Sequence, residues 1–191
     1  MNRAQRPTVD DIEKELARRD TIRKYRNATV ITLGIIVVVS AIAVIVATLL
    51  LPVLRVSGSS MSPVIKDNDI VCTVKKSELE RGDIAAFYYN NKILIKRVIA
   101  GEGDIVVINK KGEVFVNDDK LDEPYAVDVG EGDCDIDFPF QVPEDSWFVM
   151  GDHRSSSIDS RTKQVGCIKN EDMIGKVVLR VYPFKRISFI K

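Results

Sequence analysis

The most pronounced feature of the hydrophobic pattern is a nearly continuous apolar run close to the amino end. No charged residue lies between Arg26 and Arg55, and residues 30–51 are almost all aliphatic. At about 1.5 Å per residue, roughly 20 such residues cross the ~30 Å hydrocarbon layer of a bilayer. A buried core helix is seldom apolar on every face in so small a protein. A cleavable signal peptide would have a shorter apolar region and a small-residue cleavage site. The pattern therefore predicts an uncleaved transmembrane anchor over residues 28–51.

Basic residues flank this run unequally. Its amino side carries Arg18, Arg19, Arg23, Lys24 and Arg26. Only Arg55 and Lys66 follow closely on the other side. Because an excess of basic residues marks the cytoplasmic flank, residues 1–27 are predicted to be cytoplasmic and residues 52–191 to lie outside the membrane.

Beyond the apolar run, the pattern changes to short β-type stretches separated by turn residues. The predicted strands are residues 70–74, 84–89, 93–99, 105–109, 114–117, 147–150 and 175–182. The pair Asn90-Asn91 is typical of a tight hairpin, and Lys110-Lys111-Gly112 is typical of another. No amphipathic helix of comparable length is evident. The sequence predicts a mainly β fold: one N-terminal transmembrane helix followed by a predominantly antiparallel β domain.

Residues 118–137 differ from these strands, because they are acidic and poor in strand-forming residues. The spacing of aspartates from Asp133 to Asp137 matches part of a calcium-binding loop. That loop needs glycine at its sixth position, where this chain has Phe138. We therefore expect a solvated insertion loop and no metal site.

Composition narrows the function classes. The 28 basic residues balance the 28 acidic residues, and no basic patch rich in aromatic residues occurs, so nucleic-acid binding has little support. Cys72, Cys134 and Cys167 are too few and too scattered for a zinc site or a disulfide framework. Whether one pair forms a disulfide in an oxidising compartment stays open.

A Ser/Gly/Pro-rich segment, Ser57-Gly58-Ser59-Ser60-Met61-Ser62-Pro63, follows soon after the predicted anchor. The small residues before Ser60 leave its hydroxyl accessible and let backbone N–H groups turn toward a neighbouring atom. Ser60 is therefore a candidate nucleophile. The alternative is a simple turn after the anchor, since serine, glycine and proline are common turn residues.

A basic residue lies on one of the apolar strands. Alternation in the predicted strand 93–99 places Lys96 on the same face as Leu94 and Val98. If that face is buried, desolvation lowers the pKa of Lys96 from about 10.4 and makes a neutral amine available as a general base. The alternative is an edge strand along which Lys96 extends its ammonium into water.

A third polar patch, residues 151–161, directly follows the predicted strand 147–150. It contains the only histidine, His153, which any Ser-His-Asp triad would have to use. The neighbours of His153 do not favour it over Lys96 as a base. A loop histidine that makes a structural hydrogen bond is the alternative.

Taken in order, these patches resemble the bacterial type I signal peptidases, and the resemblance covers essentially the whole chain. Four segments match motifs of that family: Ser60-Met61-Ser62-Pro63, Arg81-Gly82-Asp83-Ile84, Lys96-Arg97-Val98-Ile99 with Gly103-Asp104, and residues 151–161 with Ser157, Asp159, Ser160 and Arg161. Each motif alone is weak, but four in this order behind an anchor are specific.

The resemblance implies a role for each matching residue. Ser60 is the nucleophile, its backbone N–H contributes to the oxyanion hole, and Lys96 is the general base that then returns the proton to the leaving amine. Ser157 positions the lysine amine through a hydrogen bond. Asp159 and Arg161 form a structural ion pair.

Arg97 is expected to join this ion pair.

Gly58 stands where some members place a serine that donates a second oxyanion hydrogen bond. The second donor is therefore open between a backbone N–H, a water molecule and Ser59. His153 replaces the usual asparagine, and Ala100-Gly101-Glu102 replaces the usual Gly-Leu-Pro.

The implied enzyme is a serine endopeptidase of the bacterial cell membrane that needs no metal or cofactor. It cleaves signal peptides from exported preproteins after a small-x-small motif, typically Ala-x-Ala. Its catalytic domain, residues 52–191, lies close to membrane lipid and includes a small inserted cap at about residues 101–142. A self-cleaving repressor domain with a Ser/Lys dyad and an inactive membrane-tethered binding domain are the alternatives. No oligomeric state is predicted.

Overall fold

The protein begins with one long helix. The structure, a computed structural model, describes residues 9–75, 77–128 and 133–190. Helix α1 (Val9–Leu50) is continuous, and its apolar part is long enough to cross a membrane by length and composition. The helix starts well before the predicted anchor, because the polar residues ahead of the apolar run are also helical. A first compact unit ends at Ala47 and a second begins at Thr48.

The second unit is built on an eight-stranded sheet. Its strands are β1 (Val53–Arg55), β2 (Ile70–Lys75), β3 (Ile84–Tyr89), β4 (Lys92–Ala100), β9 (Ser146–Met150), β10 (Ile168–Lys169), β11 (Met173–Tyr182) and β12 (Ser188–Phe189). The order is β1-β2-β11-β3-β4-β9-β10, with β12 paired to β11, and every pair of strands is antiparallel. Strands β3 and β4 are thus central, and β1 forms an edge.

A smaller antiparallel sheet is inserted between β4 and β9. Its strands are β5 (Ile105–Ile108), β6 (Val114–Val116), β7 (Asp119–Lys120) and β8 (Phe140–Gln141), in the order β7-β6-β5-β8. Apolar side chains of the two sheets pack in one cluster that includes Val106 and Val116 from the small sheet and Ile99 and Phe148 from the large one. The insertion therefore shares a core with the sheet that carries the candidate site.

The fold confirms the predicted mainly antiparallel β domain behind one N-terminal helix. Asn90 and Asn91 both have positive φ angles and join β3 directly to β4, as a two-residue hairpin turn requires. All seven predicted strands occur within one or two residues of their predicted ends. Strands β1, β7, β8, β10 and β12 were missed, because two or three residues are too few to show an alternating pattern.

The expectation of a solvated acidic loop at residues 118–137 holds for most of its described acidic side chains, which are exposed, but it is wrong for Glu123. Residues Asp119–Lys120 form β7, and the side chain of Glu123 is nearly buried. Glu123 forms an ion pair of 2.6 Å with the buried Arg154, and Val127 forms a backbone bridge to His153. Glu123 thus neutralises a buried arginine of the 151–161 loop.

Candidate active site

The loop that carries Ser60 is closed by hydrogen bonds at its base. The amide of Val56 donates to the carbonyl oxygen of Asp69 at 2.8 Å. Gly58 has a φ of 102° and donates its N–H to Asp67 Oδ1 at 2.9 Å. Glycine suits this position because its conformation is left-handed. The same hydrogen bond engages the Gly58 amide, which leaves it unavailable as an oxyanion donor in this conformation.

Ser60 is fixed through its carbonyl group, while its other polar groups are open. The amide of His153 donates to the Ser60 carbonyl oxygen at 3.0 Å. Within the described part of the chain, neither the Ser60 hydroxyl nor its backbone N–H has a hydrogen-bond partner. Both groups are therefore available to a ligand.

Lys96 lies on a central strand and is only 4% exposed. Its backbone pairs with Ala85 of β3, and the burial of its side chain excludes the alternative of an ammonium that extends into water. Its Nζ atom donates to Ser157 Oγ at 2.8 Å. Burial lowers the pKa of Lys96 from 10.5 to about 8; Asp159 opposes this change, and Arg161 adds to it. A neutral amine is thus accessible at mildly alkaline pH.

Ser157 links the lysine to a buried ion pair. Its hydroxyl donates to Asp159 Oδ2 at 2.6 Å, so its oxygen accepts from Lys96. Arg161 Nε lies 2.8 Å from Asp159 Oδ1, and the Gly151 amide donates to Asp159 Oδ2 at 2.9 Å. Burial favours a higher pKa for Asp159, but these hydrogen bonds and the Arg161 charge outweigh it and hold the pKa below its usual value. The carboxylate therefore stays ionised and keeps the Ser157 hydroxyl turned toward it.

Gly151 brings the Ser60 and Ser157 segments into contact. A Cβ atom on this glycine would lie 2.3 Å from Ser157 Oγ and 2.6 Å from the carbonyl oxygen of Ser60. No side chain fits there without displacing one of them. The structure thus gathers Ser60, Lys96, Ser157, Asp159 and Arg161 around Gly151. The sequence placed this glycine in a family motif but predicted no role for it.

The described contacts of Arg97 differ from the expectation. Arg97 does not join Asp159 in them; it makes a two-pronged ion pair with Asp152, at 2.8 and 2.7 Å. Burial raises the pKa of Asp152, and the hydrogen bonds and charge of Arg97 oppose that change. Arg97 also donates to the Gly82 carbonyl oxygen at 2.6 Å and stacks 3.9 Å from the centre of the Tyr125 ring. Arg97 and Lys96 point to opposite faces of β4, as strand alternation requires.

His153 does not contact Lys96 or Ser157 through its side chain. Its Nε2 atom lies 2.8 Å from Asp128 Oδ2, and its Nδ1 atom contacts Ser156 Oγ. Ser59 Oγ lies 3.5 Å from Ser156 Oγ. The sequence did not predict the contact of Asp128 with His153. Asp128 lies among many acidic residues, and no sequence feature shows which of them reaches a histidine 25 residues away.

A groove runs up to Ser60. It has a volume of about 280 Å³ and is lined by residues 53–58 on one side, by Ile93, Leu94 and Ile95 on the other, and by Ser60 and Met61. Strand β1 is an edge strand, and β4 pairs with β9 only from Arg97 onward. Two strand edges with open backbone groups therefore flank the groove.

Comparison with the sequences of known proteins places this chain in a family. Residues 28–182 match the model of the family described as signal peptidase, peptidase S26. Signal peptidase I U of Bacillus subtilis is 33% identical over 181 residues, which cover 88% of this chain and 95% of the relative. Signal peptidase IB of Staphylococcus aureus is 33% identical over 175 residues, with 81% and 90% covered.

A crystal structure of a signal peptidase I from Enterococcus faecalis is also similar. It is 28% identical, has a TM-score of 0.44 and covers 52% of this chain and 97% of its own. The extent of the sequence matches makes the present protein a serine peptidase hydrolase. The chain belongs to the signal peptidase I family, whose members cleave signal peptides from preproteins.

Proposed function

We propose that the protein is a type I signal peptidase in which Ser60 is the nucleophile and Lys96 is the general base. The observation that carries this proposal is the buried Lys96 amine, held by Ser157 at 2.8 Å on the same side of Gly151 as the Ser60 segment. Depressed basicity is what a lysine base needs, because a base with a pKa near the working pH is deprotonated and still accepts a proton readily.

The chemistry follows from these two groups. Neutral Lys96 takes the proton from Ser60 as its oxygen attacks the scissile carbonyl carbon. The resulting ammonium gives the proton to the leaving amine, and an acyl-enzyme remains on Ser60. A water molecule activated by the same lysine then releases the acyl group. No metal or cofactor enters this sequence.

The backbone N–H of Ser60 is the first oxyanion donor in this mechanism. It is unpartnered in the described part of the chain, and loss of one such donor typically costs about 2.7–4 kcal/mol. The Gly58 amide is engaged by Asp67, so we do not assign it the second role. The Ser59 hydroxyl is the adjacent side-chain candidate.

The groove is proposed to bind the substrate as an extended strand between β1 and the first half of β4. The open backbone groups on both edges can hydrogen-bond to such a strand. The aliphatic part of the groove lining can accept small apolar side chains, and cleavage after Ala-x-Ala is proposed from the family resemblance. Binding as a strand places alternate substrate side chains toward the same wall.

Helix α1 is proposed to anchor the enzyme with its amino end in the cytoplasm. The five basic residues ahead of the apolar run support this orientation. Protease added outside intact cells should digest residues 52–191 and spare the amino-terminal segment. Digestion of the amino-terminal segment instead would overturn the orientation.

Cleavage of an Ala-x-Ala preprotein by the full chain in detergent tests the base. Lys96→Ala should abolish processing, while Lys92→Ala should not, because Lys92 lies on the same strand but is exposed. Both variants should retain the thermal transition of the single tryptophan, Trp147, which lies in the core sheet. Full activity of a folded Lys96→Ala variant would refute the mechanism.

A further inference from the structure

A second serine beside the candidate site has the partners of an activated nucleophile. Ser156 ends the short 3₁₀ helix Arg154–Ser156 and is exposed. Its hydroxyl contacts His153 Nδ1, and the opposite ring atom, Nε2, lies 2.8 Å from Asp128 Oδ2. We infer that Ser156 is a second nucleophile, activated by His153 and Asp128, that reacts with acyl and phosphoryl electrophiles independently of Ser60.

The chemistry of the contacts sets the roles. An ionised carboxylate only accepts hydrogen bonds, so Nε2 carries the hydrogen in its contact with Asp128. In a neutral imidazole this leaves the lone pair on Nδ1, which faces the Ser156 hydroxyl. A hydroxyl beside a base that a third group orients is the general arrangement of an activated serine.

Asp128, the residue that orients His153, is held in place by more than one contact. Ser155 Oγ donates to Asp128 Oδ2 at 3.0 Å. The backbone beside Asp128 is bound to the histidine loop, since the amide of Val127 donates to the Asp152 carbonyl oxygen at 2.7 Å and the amide of Arg154 donates to the Val127 carbonyl oxygen at 3.2 Å. The carboxylate is therefore presented to His153 by main-chain pairing.

Ser156 is separate from the group around Lys96, although Ser157 is its neighbour in the chain. Ser157 donates to the buried Asp159, whereas Ser156 faces His153 at the surface. The Ser156 oxygen also lies 3.4 Å from the carbonyl oxygen of His153, a longer contact. The two hydroxyl groups thus have different hydrogen-bond partners and different exposure.

The proposed step is a substitution at carbon or phosphorus. Ser156 Oγ bonds to the acyl carbon or the phosphorus atom, and the leaving group departs with the electron pair of its bond. The hydroxyl proton passes to His153 Nδ1 and from there to water or the leaving group. With diisopropyl fluorophosphate, the phosphorus–fluorine bond breaks and fluoride leaves.

The test uses the full chain in detergent with Ser60→Ala, treated with diisopropyl fluorophosphate. The intact mass should increase by one diisopropylphosphoryl group, located on Ser156 in the tryptic peptide of residues 155–161. Adding Ser156→Ala should remove the adduct. Adding His153→Asn should slow labelling about 100-fold or more, since general-base catalysis typically contributes about 10²–10⁴-fold. Ser62→Ala is the matched control and should leave the labelling rate unchanged.

The thermal transition of Trp147 confirms that each variant is folded. An unlabelled Ser60→Ala protein would overturn the inference, as would an adduct on another serine of the 155–161 peptide or a rate that His153→Asn leaves unchanged. Because Ser60 is absent from every sample, these results do not depend on whether Ser60 is the peptidase nucleophile.

Discussion

Replacing Ser157 by alanine perturbs the positioning of the lysine without removing the lysine. Ser157 Oγ is the only hydrogen-bond acceptor of Lys96 Nζ in the described part of the chain. A hydrogen bond to a charged group contributes about 1.5–3 kcal/mol, which corresponds to a factor of about 10 to 150 in rate. We therefore expect Ser157→Ala to lower kcat by about 10- to 150-fold while KM changes little, because Ser157 does not line the groove.

The pH profile separates this effect from a general structural one. Cleavage by the wild-type enzyme should rise with pH through about 8, as Lys96 loses its proton. Without the Ser157 oxygen the Lys96 ammonium is less stabilised, so the pKa of Lys96 falls. The cleavage rate of Ser157→Ala should therefore begin to rise at a lower pH and level off at a lower maximum than the wild-type rate.

The assay is the initial rate of preprotein cleavage between pH 5 and pH 10. Ser146→Ala is the control: it also removes a buried hydroxyl from the sheet region, but that hydroxyl bonds to the Glu144 carbonyl oxygen. The control should keep both the rate and the profile. A Ser157→Ala enzyme with wild-type kcat and an unchanged profile would show that Ser157 does not position the base.

Three further predictions concern stability, the histidine and the cysteines. Lys96→Met should abolish cleavage yet raise the free energy of unfolding at pH 7 by about 3 kcal/mol, the equivalent of the pKa change from 10.5 to about 8. The difference in unfolding free energy between Lys96→Met and the wild type should shrink between pH 8 and 10.5, because there the unfolded lysine keeps a proton that the folded lysine has lost. Denaturation followed by Trp147 fluorescence measures this difference, and a difference that stays constant with pH would contradict the prediction. His153→Asn should keep preprotein cleavage within about threefold, and loss of turnover would restore histidine as the base. Burial raises the pKa of the Cys167 thiol to about 12, so a thiol reagent at pH 8 should modify the exposed Cys134 far faster; equal rates would contradict the burial.

The sequence was sufficient for the elements with long, regular patterns. The apolar run predicted the helix, and the alternating stretches predicted seven strands together with the Asn90-Asn91 turn. The face of Lys96 also followed from alternation. Its degree of burial did not, because burial depends on the pairing of β4 with β3 and on the distant loop that places Ser157 against Lys96.

Contacts between loops that are distant in the chain could not be predicted from the sequence. The pairing of Arg97 with Asp152 depends on which loop residue reaches the face of β4 on which Arg97 lies. The docking of Glu123 on Arg154 depends on the path of a segment with no periodicity. Gly151 illustrates the same limit: its motif was visible, but its contacts with Ser60 and Ser157 exist only in three dimensions.

The nucleophile is the central claim of this account, and single-turnover cleavage of an Ala-x-Ala preprotein by Ser60→Ala in detergent tests it most directly. Ser62→Ala, two residues along the same loop, is the matched control, and the Trp147 transition reports the folded state of both variants. The account predicts no detectable product from Ser60→Ala and near wild-type turnover from Ser62→Ala. Product formation by folded Ser60→Ala at more than a few per cent of the control rate would contradict it.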